Sequence, residues 1–284
     1  MNAPSRPQRT IGRAVETAGA GLHTGRPARL RCTPLEAGAG LVFLRSDLGP
    51  NALIPSQVAY RADHPRRTTL SHQGAEVHTV EHLLSALYVL GIDNALLDLD
   101  GPEAPGLDGS SLPFLALLES AGVREQERSV DIVVVRRPFE ASAGGAEIRA
   151  TPRDAPGLSL EYHLDYPIPG LSELRLSLEV NLESYRREVA PARTFCLKAE
   201  AEALRAAGLG LGATFDNTVV WGEDGPIGTE LRFADEPLRH KVLDLIGDLS
   251  LIGRPLQAHV VATKSGHALN AELARQILAN DGGL

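Results

Sequence analysis

The chain has 284 residues, 43% hydrophobic and 23% charged, which excludes a largely disordered polypeptide and leaves one large domain or two of ordinary size. Its 28 Lys and Arg against 36 Asp and Glu leave a formal charge of −8, which argues against a nucleic-acid binder or a protein held on anionic lipid. Cys32 and Cys196 are too few for a disulfide framework or a Cys-rich zinc site, so any metal must be held by His and carboxylate, and a reducing compartment fits.

Residues 1–10 are polar and contain Pro, unlike a secretory signal, and no apolar run approaches the length of a membrane span; the expected location is cytoplasmic. Between residues 22 and 44 short strands are expected, with Leu30, Cys32, Leu41 and Phe43 at period two. Apolar spacing predicts a helix over 78–90, stopped by Gly91, then a strand over 95–99 and a Gly/Pro loop over 101–109. Ser110 or Ser111 is expected to cap a second helix with Pro113 in its first turn, ending at Gly122.

The charged run 124–129 marks a domain boundary, giving an N-terminal unit of residues 1–125 and a C-terminal unit of residues 126–284. Beyond it strands are predicted over 132–135, 146–150, 158–164, 174–180, 217–221 and 257–263, with helices over 198–207, 236–252 and 268–279. Both halves place strands first and helices after, the order of layered α+β domains.

Three segments carry residues suited to chemistry. His78-Thr79-Val80-Glu81-His82 matches the H-x-x-E-H pattern of inverted zinc peptidases, in which two imidazoles one helical turn apart share a metal, although such a pair on a surface helix is often only solvated. His240, Asp244 and Asp248 recur every fourth residue on a helix whose other faces are apolar, a stripe that faces either a site or water. Lys264-Ser265-Gly266-His267 joins a strand to a helix, with Ser265 and Gly266 suited to a cap and turn and His267 at the sheet edge; a lone His there is often structural.

These residues, with further blocks, resemble the UDP-3-O-acyl-N-acetylglucosamine deacetylases of lipid A biosynthesis. The blocks are residues 19–25, Thr79-Val80-Glu81-His82-Leu83-Leu84, Gly91-Ile92-Asp93-Asn94, residues 100–103 and 107–110, Ala192-Arg193-Thr194-Phe195, residues 239–248 and residues 264–270, covering nearly the whole chain in the family's order. The resemblance implies an α+β protein of two similar domains, each a layered sheet and helix sandwich, with the active site between them.

By the same resemblance His82, His240 and Asp244 are zinc (Zn2+) ligands, leaving a fourth position open, and His78 is not a ligand. Glu81 is implied as general base, His267 as a protonated histidine at the oxyanion or leaving amine, Asp248 as the carboxylate orienting it, and Thr194 as a hydroxyl at the oxyanion. Lys241, Phe195 and His23 are implied to bind the substrate, UDP-3-O-acyl-N-acetylglucosamine. A monomer, with no nucleic acid as partner, is expected.

Cys196-Leu197 stands where members of the family often carry Gly-Phe, in the segment resembling the insert that forms the acyl passage. Apolar residues from Leu197 to Leu211, including Ala203, Leu204 and Ala207, are expected either to line that passage or to cap the second sheet, with Glu200, Glu202 and Arg205 facing water. The stop at Leu284 is expected to trim a surface tail.

Overall fold

The computed structural model describes residues 4–280, so residues 1–3 and the expected trimmed tail at 281–284 lie outside the described residues. Among the described residues six α-helices and several sheets make a mixed α+β fold. The helices are α1 (Glu81–Leu90), α2 (Leu112–Ala121), α3 (Leu182–Glu188), α4 (Lys198–Ala206), α5 (Glu236–Leu249) and α6 (His267–Asn280).

Two larger sheets share one connectivity. In the first the order is Val15–Ala20, Pro27–Pro34, Ala95–Leu99, Leu41–Arg45, Leu53–Pro55; in the second it is Phe139–Ala143, Ala146–Thr151, Leu256–Thr263, Leu158–Leu164, Leu174–Glu179. In each the central strand arrives last, after a helix, and lies antiparallel to one neighbour and parallel to the other. In each a further helix follows it, α2 in the first half and α6 in the second. Along Pro27–Pro34 burial alternates, with Ala28, Leu30 and Cys32 inward and Arg29 and Arg31 outward, the period-two pattern of a sheet with one covered face.

The charged run expected as a boundary is a strand, Val123–Asp131, paired antiparallel with Ser5–Ile11. Backbone pairing with a distant segment, not an apolar face, makes it a strand: it is exposed along most of its length.

α1 and α5 pack against each other between the halves. Most residues of both are buried, as expected of helices covered on every side. That burial takes in Glu81, His82, His240, Asp244 and Asp248. Removing five ionisable groups from water is costly without partners, so the pair of helices marks the place where chemistry is concentrated.

Candidate metal centre and active site

α1 begins later than the apolar spacing predicts. His78 ends the strand Ala75–His78, with Nδ1 3.0 Å from Thr69 Oγ1, so it does not share a helix face with His82 and the H-x-x-E-H reading fails on geometry. Between them Thr79 takes a left-handed φ of 55°, which is unfavourable for a β-branched residue, and its hydroxyl donates to Glu103 Oε1 at 2.9 Å. The turn delivers Glu81 and His82 into the interior as the first residues of α1.

On α5, His240 and Asp244 sit one turn apart and both are buried, so the polar stripe does not face water. His240 Nε2 lies 3.3 Å and His82 Nε2 3.9 Å from Asp244 Oδ1, and ligand atoms of all three fall within 4.8 Å of one another. His240 Nδ1 is 3.1 Å from the Ala192 carbonyl, which can only accept, so Nδ1 carries the proton and Nε2 keeps its lone pair. Burial, with His240 alongside, pushes the His82 imidazole down to about 3, and burial lowers His240 as well, so both rings are neutral. Burial opposes charge on Asp244, yet Lys241, whose Nζ donates to Oδ2 at 2.9 Å, and the imidazoles hold its carboxyl far below the usual range. Two neutral imidazoles and one ionised carboxylate are a donor set that fits a zinc ion with one position left open.

Glu81 faces this group from α1, its Oε2 accepting from the Thr68 backbone N–H at 3.2 Å, and burial pushes its carboxyl up to about 8. His267 Nδ1 donates to Asp248 Oδ2 at 2.9 Å while its Nε2 lies 3.9 Å from Glu81 Oε1. Burial disfavours the imidazolium, but Asp248 outweighs it and the ring is raised to about 9. Asp248 also accepts from Asn270 Nδ2 at 2.8 Å and from the hydroxyl of Thr68.

A cavity of about 1180 Å³ opens onto Glu81, His82, His240, Asp244 and His267. Thr194, Phe195, Lys241 and His23 all line it, as do Cys196 and Leu204 from the expected passage segment. Ala203 and Ala207 do not: both are exposed, and no residue of α4 is buried, so the helix neither caps the second sheet nor turns those alanines to the cavity. Glu200, expected in water, is paired with Arg66, a residue that lines the cavity.

The family model described as UDP-3-O-acyl N-acetylglycosamine deacetylase matches residues 8–279. The curated UDP-3-O-acyl-N-acetylglucosamine deacetylase of Anaeromyxobacter dehalogenans is 41% identical over 96% of this chain and 88% of its own. That of Myxococcus xanthus is 40% identical over 99% and 89%, and that of Citrifermentans bemidjiense 42% over 95% and 88%. The chain belongs to the UDP-3-O-acyl-N-acetylglucosamine deacetylase family. It is an enzyme, a hydrolase of the deacetylase type acting in lipid A biosynthesis.

The geometry of this candidate site also rests on residues to which the sequence assigned no part in it. Arg193 is buried with Glu236, the first residue of α5, through its backbone N–H and guanidinium. That pair ties the Ala192-Arg193-Thr194-Phe195 segment to α5, placing the Ala192 carbonyl on His240 and Thr194 at the cavity. Ser111 stands at the N-cap of α2 as expected, but its hydroxyl donates to the His82 carbonyl at 2.7 Å, and it is Ser110 Oγ that accepts from the Leu112 backbone N–H, at 3.2 Å. Ser265 does not cap α6, its buried Oγ having no partner. Lys264 and Arg66, like Thr79, line the cavity in left-handed backbone, a concentration of strain fitting a functional site.

Proposed function

We propose that this enzyme hydrolyses the N-acetyl group of UDP-3-O-acyl-N-acetylglucosamine, releasing acetate, with zinc held by His82, His240 and Asp244. The observation that carries this reading is the convergence of those three donors, from two helices in different halves of the chain, beside Glu81 at a large cavity. The chemistry a zinc ion supplies when bound is Lewis-acid polarisation of the amide carbonyl and acidification of water.

The protein's own residues divide the proton work. Glu81 takes a proton from the water whose oxygen bonds to the acetyl carbon. His267, held protonated by Asp248, delivers a proton to the amide nitrogen as the C–N bond breaks, so that acetate and a free amine leave. The Thr194 hydroxyl lines the cavity and donates to the oxyanion that forms during attack. Lys241 and Phe195 bind the nucleotide sugar by charge and apolar contact, and His23, which also lines the cavity, contacts the substrate.

The two halves, 1–125 and 126–284, whose larger sheets share one connectivity, act as two domains with this site between them. Every proposed ligand and catalytic group comes from one chain, which fits a monomer. A cytoplasmic location goes with a nucleotide-sugar substrate and two free cysteines; among the described residues no helix is long and apolar enough to cross a membrane. The test is acetate release by the purified protein from UDP-3-O-acyl-N-acetylglucosamine and from the same sugar lacking the 3-O-acyl group. Turnover that requires the acyl group supports the reading, and equal turnover of both assigns another acylated amino sugar.

A further inference from the structure

Thr68 precedes the short strand Thr69–His72, is fully buried, and stands outside every segment that pattern or resemblance singles out. It nevertheless meets all three acid-base groups. Its backbone N–H donates to Glu81 Oε2 at 3.2 Å, its hydroxyl donates to Asp248 Oδ1, and its Oγ1 lies 3.2 Å from His267 Nδ1.

The donor arithmetic at Asp248 shows what the hydroxyl does. His267 Nδ1–H and Asn270 Nδ2–H both go to Oδ2, at 2.9 and 2.8 Å. Oδ1 receives the Thr68 proton, and no other side-chain hydrogen bond to it occurs among the described residues. A buried carboxylate held at one oxygen is free to turn about its terminal bond or to take up a proton; held at both it keeps its plane and its charge. The backbone N–H meanwhile occupies Glu81 Oε2 and leaves Oε1 toward His267. One residue therefore sets the angle of the Glu81 carboxylate and locks the carboxylate that aims His267.

We infer that Thr68 is a positioning residue of this active site, its hydroxyl fixing the Asp248–His267 pair and its backbone N–H fixing Glu81. This rests on the reading of His267 as the proton donor. The hydroxyl can be removed without disturbing shape or the backbone donor, because Val is close to isosteric with Thr and keeps its N–H, while Ser keeps the hydroxyl and loses only a methyl group.

The experiment compares Thr68→Val, Thr68→Ser and His267→Ala, each with its metal content and melting temperature measured, in steady-state hydrolysis of UDP-3-O-acyl-N-acetylglucosamine. Thr68→Val is expected to lose between about 10- and 100-fold in kcat, the range found when a group supporting a metal site is removed, with KM and metal content held. Thr68→Ser restores most of that rate, and adding Thr68→Val to His267→Ala costs little more, because the hydroxyl acts through His267. Should the Val variant fail to fold, Thr68→Ala against Thr68→Ser gives the same comparison. A loss of rate in His267→Ala with kcat unchanged in Thr68→Val overturns the role of Thr68 alone. Equal losses in the Ser and Val variants also overturn it, since the hydroxyl would not matter. Full activity in His267→Ala overturns the underlying reading of the proton donor.

Discussion

Gly247 of α5 lies against the backbone of Glu81 so closely that a Cβ on it would sit 2.3 Å from the Glu81 carbonyl oxygen. The two helices carrying the proposed ligands touch at this point, and only a residue without a side chain permits the approach. The distance between His82 on one helix and His240 and Asp244 on the other is therefore set by an absent methyl group.

Gly247→Ala forces the helices apart or bends one of them, because the obstructing atoms are backbone. Overpacking of this kind costs about 1–3 kcal/mol. The melting temperature is expected to fall by about 2–4 °C per kcal/mol, as for chains of roughly this size. Affinity for zinc and kcat/KM are expected to fall with it, since Glu81 and His82 shift together. A Gly247→Ala protein with unchanged zinc affinity and rate would show that the crossing does not set the site.

Glu81→Ala and His267→Ala are expected to hold zinc and to lose rate by about 10²–10⁴-fold, the usual contribution of a positioned acid or base. As the proposed base Glu81 works deprotonated, so kcat/KM is expected to rise with pH through its pKa; burial is the largest cause that raises it, to about 8, and a bound dication lowers it. As the proposed acid His267 works protonated, so the rate is expected to fall as pH passes its raised pKa, near 9. A profile with two limbs is expected, and the alkaline limb should vanish in His267→Ala. An alkaline limb that persists in that variant contradicts the assignment.

Leu204 lines the cavity while Ala203, its neighbour on α4, is exposed. Leu204→Trp is expected to reduce kcat/KM for a long-chain substrate about tenfold more than for a short-chain analogue, equivalent to the burial of two methylenes at about 0.8 kcal/mol each. Ala203→Trp should leave both unchanged. Steady-state kinetics on the two chain lengths decide it: equal effects of Leu204→Trp on both would place the acyl passage elsewhere.

Glu103 is buried and accepts the backbone N–H groups of His23 and Thr24, each at 2.8 Å, and the hydroxyls of Thr24 and Thr79. Burial pushes its carboxyl up, but the bonds from His23 and Thr24 outweigh it and hold the group below its ordinary value of 4.5. With a lowered folded-state pKa, the unfolded chain takes up the proton first as pH falls. The stabilisation is therefore full above about 4.5 and is lost below it, as pH falls through the folded value. Glu103→Gln should cost about 1.5–3 kcal/mol near neutrality, typical of hydrogen bonds to a charged acceptor. Melting temperatures of the two proteins should converge in acid; a gap independent of pH would mean that the charge of Glu103 is not what holds the turn.

How much of this was legible depended on how local the cause was. α1, α5 and α6 follow from apolar spacing and end signals within a few residues, and their bounds differ from expectation by a turn or less. The His240, Asp244, Asp248 stripe was visible as well, but whether it faced water depended on α1, a long way off in the chain. The ribbon of Ser5–Ile11 and Val123–Asp131 escaped because nothing in two polar segments announces a pairing across more than 110 residues. α3 escaped too: its start is marked by Asn181 and Ser184 bonding reciprocally, a signal that was available but brief. Ser111 looked like a helix cap, yet the His82 carbonyl claims its hydroxyl. Thr68 had no signal at all, since its role exists only where three distant segments meet.

The measurement that bears most directly on the whole account is a zinc titration of the metal-free protein, following acetate release from UDP-3-O-acyl-N-acetylglucosamine, repeated with His82→Ala, His240→Ala, Asp244→Ala and His78→Ala. Activity is expected to rise to a plateau at one equivalent of zinc in the unsubstituted protein and in His78→Ala, whose ring faces Thr69. The other three variants should bind zinc weakly and stay silent. Full activity without metal, or loss of zinc in His78→Ala equal to that in His82→Ala, would contradict it.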